Sequence, residues 1–135
     1  MSISQSDEAA SGDIDTILVV EDEELLNEVL VQTLEDAGYK VVSAFNGQEA
    51  LALFTENRDT ISVVLSDIGL PKLNGIQLFE ELQKIDQHVK MILASGFIDP
   101  SQKAKLVQSG VHGIVKKPYE PAVILEKIRS LLDKD

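Results

Sequence analysis

The sequence predicts an α/β protein, a parallel five-stranded sheet with helices on both faces. Three observations lead there. Short apolar runs alternate five times with stretches whose apolar residues recur at helical spacing. The connections between them are short, and such alternation implies parallel strands covered by helices. Four of the runs also end in reactive polar groups. Ile17-Leu18-Val19-Val20 ends in Glu21-Asp22, and Ile61-Ser62-Val63-Val64-Leu65-Ser66 ends in Asp67. Met91-Ile92-Leu93-Ala94 ends in Ser95, and Ile114-Val115 ends in Lys116-Lys117-Pro118.

Taken in order, the first strand is followed after Glu23 by a helix with Leu25, Leu26, Val29, Leu30 and Leu34 at helical spacing. Gly38 stands where that helix needs a C-terminal cap. Val41-Val42-Ser43-Ala44 is the second strand. Asn46 caps the next helix, which carries Ala50, Leu51, Leu53 and Phe54, and Glu49 completes a pattern resembling a capping box. The third strand, Ile61 to Ser66, gives way to the loop Asp67 to Gly75, with Pro71 and Asn74-Gly75, and then to a helix with Ile76, Phe79, Leu82 and Ile85. The fourth strand is Lys90 to Ala94. Asp99 and Pro100 open a helix as N-cap and first helical residue, and it ends near Ser109-Gly110. The fifth strand runs from Gly113 to Lys116, and the last helix from Pro121, with Ile124, Leu125, Ile128, Leu131 and Leu132 on one face.

Strands one, three and four are the most continuously apolar and belong in the centre of the sheet. Strands two and five are shorter or more polar and suit its edges. The order 2-1-3-4-5 satisfies both, and it is the flavodoxin-like order. Ligands of such sheets bind beyond the carboxyl ends of the strands, where the strand order reverses. The reversal here lies between strands one and three, at Glu21, Asp22 and Asp67.

With 135 residues, 44% of them apolar, the chain has the mass of one domain with a real core. Residues 1–14 read as a flexible acidic tail and 15–135 as the folded domain. The absence of cysteine excludes disulfides and thiolate metal sites. No apolar stretch approaches the roughly 20 residues of a membrane span, and the N-terminus lacks the blocks of a signal peptide, so a cytoplasmic protein is expected. The net charge of -11 is uneven: the first 39 residues hold 11 acids and neither Lys nor Arg, leaving 12 acids against 12 bases. Such a surface repels phosphates and argues against direct nucleic-acid binding.

Carboxylates gathered in one pocket repel, by roughly 4 kcal/mol for two unit charges about 4 Å apart at an effective dielectric near 20. A hard cation relieves this, and Mg2+ takes oxygen ligands while sharing its shell with phosphate. An ammonium such as Lys117 would offset further charge. A carboxylate in that setting can accept a phosphoryl group as an acyl phosphate, a reaction that needs positioning and charge neutralisation above all. The Ser95 hydroxyl could then bond a phosphoryl oxygen only in the modified state, which is how a switch is driven. Each residue alone also has a plainer reading: Asp22 or Glu23 as a helix N-cap, Ser95 as part of a turn, Lys117 as a solvated loop amine.

The motifs Leu18-Val19-Val20-Glu21-Asp22-Glu23, Ser66-Asp67-Ile68-Gly69-Leu70-Pro71 through Asn74-Gly75, Leu93-Ala94-Ser95-Gly96 and Lys116-Lys117-Pro118-Tyr119 resemble the receiver domain of two-component response regulators, over about Asp15 to Leu132. The resemblance implies that Asp67 is the phosphoacceptor, served by a histidine kinase or a histidine phosphotransfer protein. It implies an acidic pocket of Glu21 and Asp22, with Asp22 and Asp67 ligating Mg2+ directly and Gly69 giving its backbone carbonyl. Ser95 would be the switch hydroxyl, Lys117 would contact the phosphoryl group, and the Lys117-Pro118 bond would be cis.

The chain departs from the family pattern in two places. Ile114 stands where receivers often carry an aromatic that moves with the switch hydroxyl, so the aromatic half of that switch is absent. Glu21 replaces the usual Asp and, being longer, is expected to act through water more than directly. Tyr119 is expected to pack against the last helix, and His88 and His112 to lie away from the site. With only Asp133 to Asp135 after the last helix, either a stand-alone receiver that signals by docking or the terminal receiver of a membrane-bound hybrid histidine kinase fits. The output partner, and a phosphorylation-dependent dimer, stay open. An aspartate-nucleophile phosphatase is the competing enzyme class, but it needs an acid two residues after the nucleophile, where this chain has Gly69. A degenerate receiver used only for docking is the third reading.

Overall fold

The computed structural model describes residues 14–133. The chain runs β1 (Thr16–Val20), α1 (Glu24–Asp36), β2 (Lys40–Ala44), α2 (Gly47–Asn57), β3 (Ile61–Asp67), α3 (Gly75–Ile85), β4 (Met91–Ser95), α4 (Pro100–Ser109), β5 (Gly113–Lys116) and α5 (Pro121–Leu132). All ladders are parallel and the sheet order is β2-β1-β3-β4-β5. This is the flavodoxin-like (βα)5 sandwich that the apolar patterning predicts. Apart from Ile14, the tail predicted for residues 1–14 lies outside the described residues.

Alternation along the strands divides the core in two. Leu18, Val20, Val64, Met91 and Leu93 face Ala50 and Phe54 of α2, Leu78, Phe79 and Leu82 of α3 and Leu106 of α4. Ile17, Val19, Val63, Leu65, Ile92, Ala94 and Val115 face Leu30 and Leu34 of α1 and Ile124, Ile128 and Leu131 of α5. The three central strands are therefore buried on both faces, which is why they read as unbroken apolar runs.

The helix starts follow local chemistry. Asn46 accepts the Glu49 N–H, while the Glu49 carboxylate reaches back to the Phe45 N–H. Asn74 and Gln77 form a full capping box, and Asp99 accepts the Gln102 N–H ahead of Pro100. After α1 the last helical turn closes on Ala37, and Gly38 takes the left-handed turn at φ 100°. Besides β2 and β4 beginning at Lys40 and Met91 in place of Val41 and Lys90, two strands end one residue later than the sequence reading has them. Asp67 is the last residue of β3, paired with Ala94, and not the first of the loop. β4 reaches Ser95 because Ser95 pairs with Lys116 on β5.

Ladder bonds continue past the strand tips and level the site. The N–H of Glu21 donates to Ala44, that of Ile68 to Ala94, and that of Lys117 to Ser95. Glu21, Asp67, Ser95 and Lys117 thus leave the sheet at one end. Among the described residues no helix is long and apolar enough to cross a membrane.

Candidate functional site

Glu21, Asp22 and Asp67 converge at the tips of β1 and β3, with one carboxylate oxygen of each within 4.8 Å of the others. Glu21 is fully buried and Asp67 nearly so, whereas Asp22 is exposed at the rim. Lys117, on the β5–α5 loop, places its ammonium 3.3 Å from Glu21 Oε1 and 3.5 Å from Asp67 Oδ2. The Lys117-Pro118 bond before α5 is cis, as the resemblance implies.

The electrostatics follow from this crowding. Burial raises the Asp22 pKa above the ordinary carboxylate value, and the neighbouring Glu21 and Asp67 charges push the same way, against its own backbone N–H. Burial disfavours the Lys117 ammonium, but Asp67 and then Glu21 outweigh it and hold its pKa above that of an ordinary lysine. One cation thus faces three acids. The donor set is all oxygen, without histidine or cysteine, and suits a hard divalent cation. Gly69 borders it: a side chain there would stand 4.0 Å from Asp67 Oδ2.

The loop behind Asp67 is held closely. The Gly75 N–H donates to the Ile68 carbonyl. A methyl at Gly75 would come within 2.5 Å of the Asp67 carbonyl oxygen. Only glycine lets α3 start this close to the tip of β3.

The four groups Glu21, Asp22, Asp67 and Lys117 come together as predicted. Ser95 shares their end of the sheet, but its hydroxyl is engaged in its own loop: it donates to Phe97 O at 2.7 Å and accepts from Phe97 N–H at 3.3 Å. Beside it lies a groove of about 460 Å³ lined by Phe97, Ile98, Pro100 and Ile114. Phe97 is 84% exposed at its edge, and Ile114 packs half-buried against the core. Asp22 does not cap α1; the N-cap position is Glu23, which makes no side-chain capping bond. His88 and His112 are exposed, and neither belongs to the acidic cluster.

One residue, Asn27, and one role, that of Tyr119, escaped the sequence reading. Asn27 is buried in α1, and its amide donates to the carbonyls of Glu21 and Ala44, tying the tips of β1 and β2 to the helix. Its spacing from Leu30 and Leu34, which puts a polar residue on the buried face, was the available signal. Tyr119 packs against the cluster that α5 helps to form, as expected, but its hydroxyl also donates to Glu21 Oε1 at 2.9 Å. No local pattern announces a bond between residues 98 positions apart.

An acidic cluster with an opposing lysine thus stands where the strand order of this flavodoxin-like sheet reverses. The family model of the response regulator receiver domain matches residues 17–129, and the chain belongs to that family of two-component signalling modules. It is 30% identical over 119 residues to the sensor kinase CckA of Brucella abortus, covering 88% of this chain but 13% of that protein. It is 29% identical over 116 residues to the chemotaxis protein CheY of Thermotoga maritima, covering 85% of this chain and 95% of that one. A receiver-domain structure from Clostridium thermocellum superposes with a TM-score of 0.85 at 29% identity, covering 90% of this chain and 96% of the other.

Proposed function

We propose that this chain is a Mg2+-dependent phosphoacceptor in a phosphorelay, with Asp67 as the residue modified. The observation that carries this is the position of the Asp67 carboxylate, nearly buried, 3.5 Å from the Lys117 ammonium and grouped with Glu21 and Asp22. An Asp67 oxygen attacks the phosphorus of a phosphohistidine on a histidine kinase or phosphotransfer protein. The O–P bond forms, the P–N bond breaks, and the imidazole leaves with the bonding pair and takes up a proton. Bound Mg2+ would neutralise charge on the phosphoryl oxygens, held by Asp22, Asp67 and the Gly69 carbonyl, with Glu21 behind them. Lys117 supplies positive charge from the opposite side. Ser95 then exchanges its bonds to Phe97 for a phosphoryl oxygen, releasing the Phe97 loop and altering the docking surface. Autophosphorylation from a small phosphodonor and hydrolysis of the acyl phosphate use the same groups. The output is read by docking or within a hybrid kinase; similarity both to a sensor kinase and to a chemotaxis protein supports either setting.

Intact mass after incubation with Mg2+ and acetyl phosphate tests this. One phosphoryl adduct is expected on the parent and none on Asp67→Asn, which keeps the shape and removes the nucleophile. An adduct on the variant would sink the assignment.

A further inference from the structure

We infer that Tyr119 is a positioning residue for the cation end of the site, acting through Glu21; this rests on the phosphoacceptor reading above. Glu21 is fully buried and has little freedom left. Its Oε1 accepts the Tyr119 hydroxyl at 2.9 Å and faces the Lys117 ammonium at 3.3 Å. Its Oε2 accepts the Glu23 N–H at 3.0 Å. An ionised carboxylate has about four lone-pair positions, so three are taken by the protein and roughly one is left for the cluster. The hydroxyl of Tyr119 therefore decides how Glu21 meets the cation: through one lone pair, in one orientation.

The same hydroxyl sets where Lys117 rests. Lys117 and Tyr119 share Glu21 Oε1, and the ammonium lies 5.4 Å from the centroid of the Tyr119 ring. While Tyr119 satisfies Oε1, Lys117 is divided between Glu21 and Asp67. Without the hydroxyl, Lys117 is left among the described residues as the side-chain donor to Oε1 and is drawn from Asp67 towards Glu21. Burial and the Glu21 charge hold Tyr119 protonated, so it stays a neutral donor. The longer Glu21 and the hydroxyl of Tyr119 work as a pair: the extra methylene carries the carboxylate to the phenol.

Tyr119→Phe keeps the ring, its packing and its contact with Lys117, and removes only the hydrogen bond. Partners that orient metal ligands typically cost 10–100-fold in metal affinity when removed. Mg2+ titration of the unphosphorylated protein by calorimetry at fixed ionic strength should show about tenfold weaker binding in Tyr119→Phe. The same substitution made on a Glu21→Gln background should cost less than about twofold more, because the two changes break one interaction. Parent-like affinity in Tyr119→Phe, or an equal loss in both backgrounds, overturns the inference and leaves the phosphoacceptor reading standing. No Mg2+ binding by the parent overturns both.

Discussion

Lys117 is the residue on which the site balances. Its ammonium is the partner of two carboxylates, one fully buried and one nearly so. Removing it leaves the three carboxylates in place but takes away the positive charge that, in the proposed function, would meet a phosphoryl group. Lys117→Ala should still bind Mg2+ and accept phosphate on Asp67, yet lose the conformational response. Near-UV circular dichroism reads this well, since Tyr119 lies beside the site and the chain has no tryptophan. A spectral change like that of the parent on phosphorylation would rule out the role given to Lys117.

At the scale of elements, the site is a product of how β–α units join. The tip of β3 and the start of α3 meet so closely that a Gly75 methyl would lie 2.5 Å from Asp67 O, 2.9 Å from Ile68 Cα and 3.1 Å from Leu93 Cδ2. Two of those are backbone atoms, which cannot step aside. Gly75→Ala should therefore cost about 1–3 kcal/mol, read as a lower urea midpoint, and slow phosphorylation by shifting Asp67. A midpoint and a phosphorylation rate unchanged from the parent would refute it. Much of this scale was legible in the sequence. The apolar runs of β1, β3 and β4 placed them centrally, and Asn46 and Asp99 announced their helices, because caps and periodicity are local physics. Long-range polar bonds were not legible. Asn27 bonds the Ala44 carbonyl and Tyr119 bonds Glu21 only after the sheet has aligned distant segments. The Ser95 bonds to Phe97 span two residues but depend on a loop shape that no propensity specifies.

The whole molecule carries a net charge of -11, and its site concentrates three acids against one lysine, so the fold should feel the cation. Asp22 has its pKa raised in the folded state, so the native protein binds protons more readily there than the unfolded chain. Stability then falls as pH rises through that folded pKa, and the cost of the charge persists at neutral pH. Lys117 runs the other way in consequence: its raised pKa gives a contribution that is full below the unfolded lysine value and is lost only as pH climbs through the folded one, on the alkaline side. At neutral pH without metal, Asp22 is thus the unfavourable charge and Lys117 the favourable one. Asp22→Asn should raise the melting temperature in the absence of Mg2+ and flatten the gain on mild acidification. The parent should gain about 2.7 kcal/mol at a Mg2+ concentration near 100 times its Kd, a rise of about 10 °C for a chain of this size. Asp22→Asn should lose most of that gain, since it trades the proposed carboxylate ligand for a neutral amide. Thermal melts of both proteins with and without Mg2+ check all of this at once, and an equal Mg2+ shift in the two would remove Asp22 from the cation site.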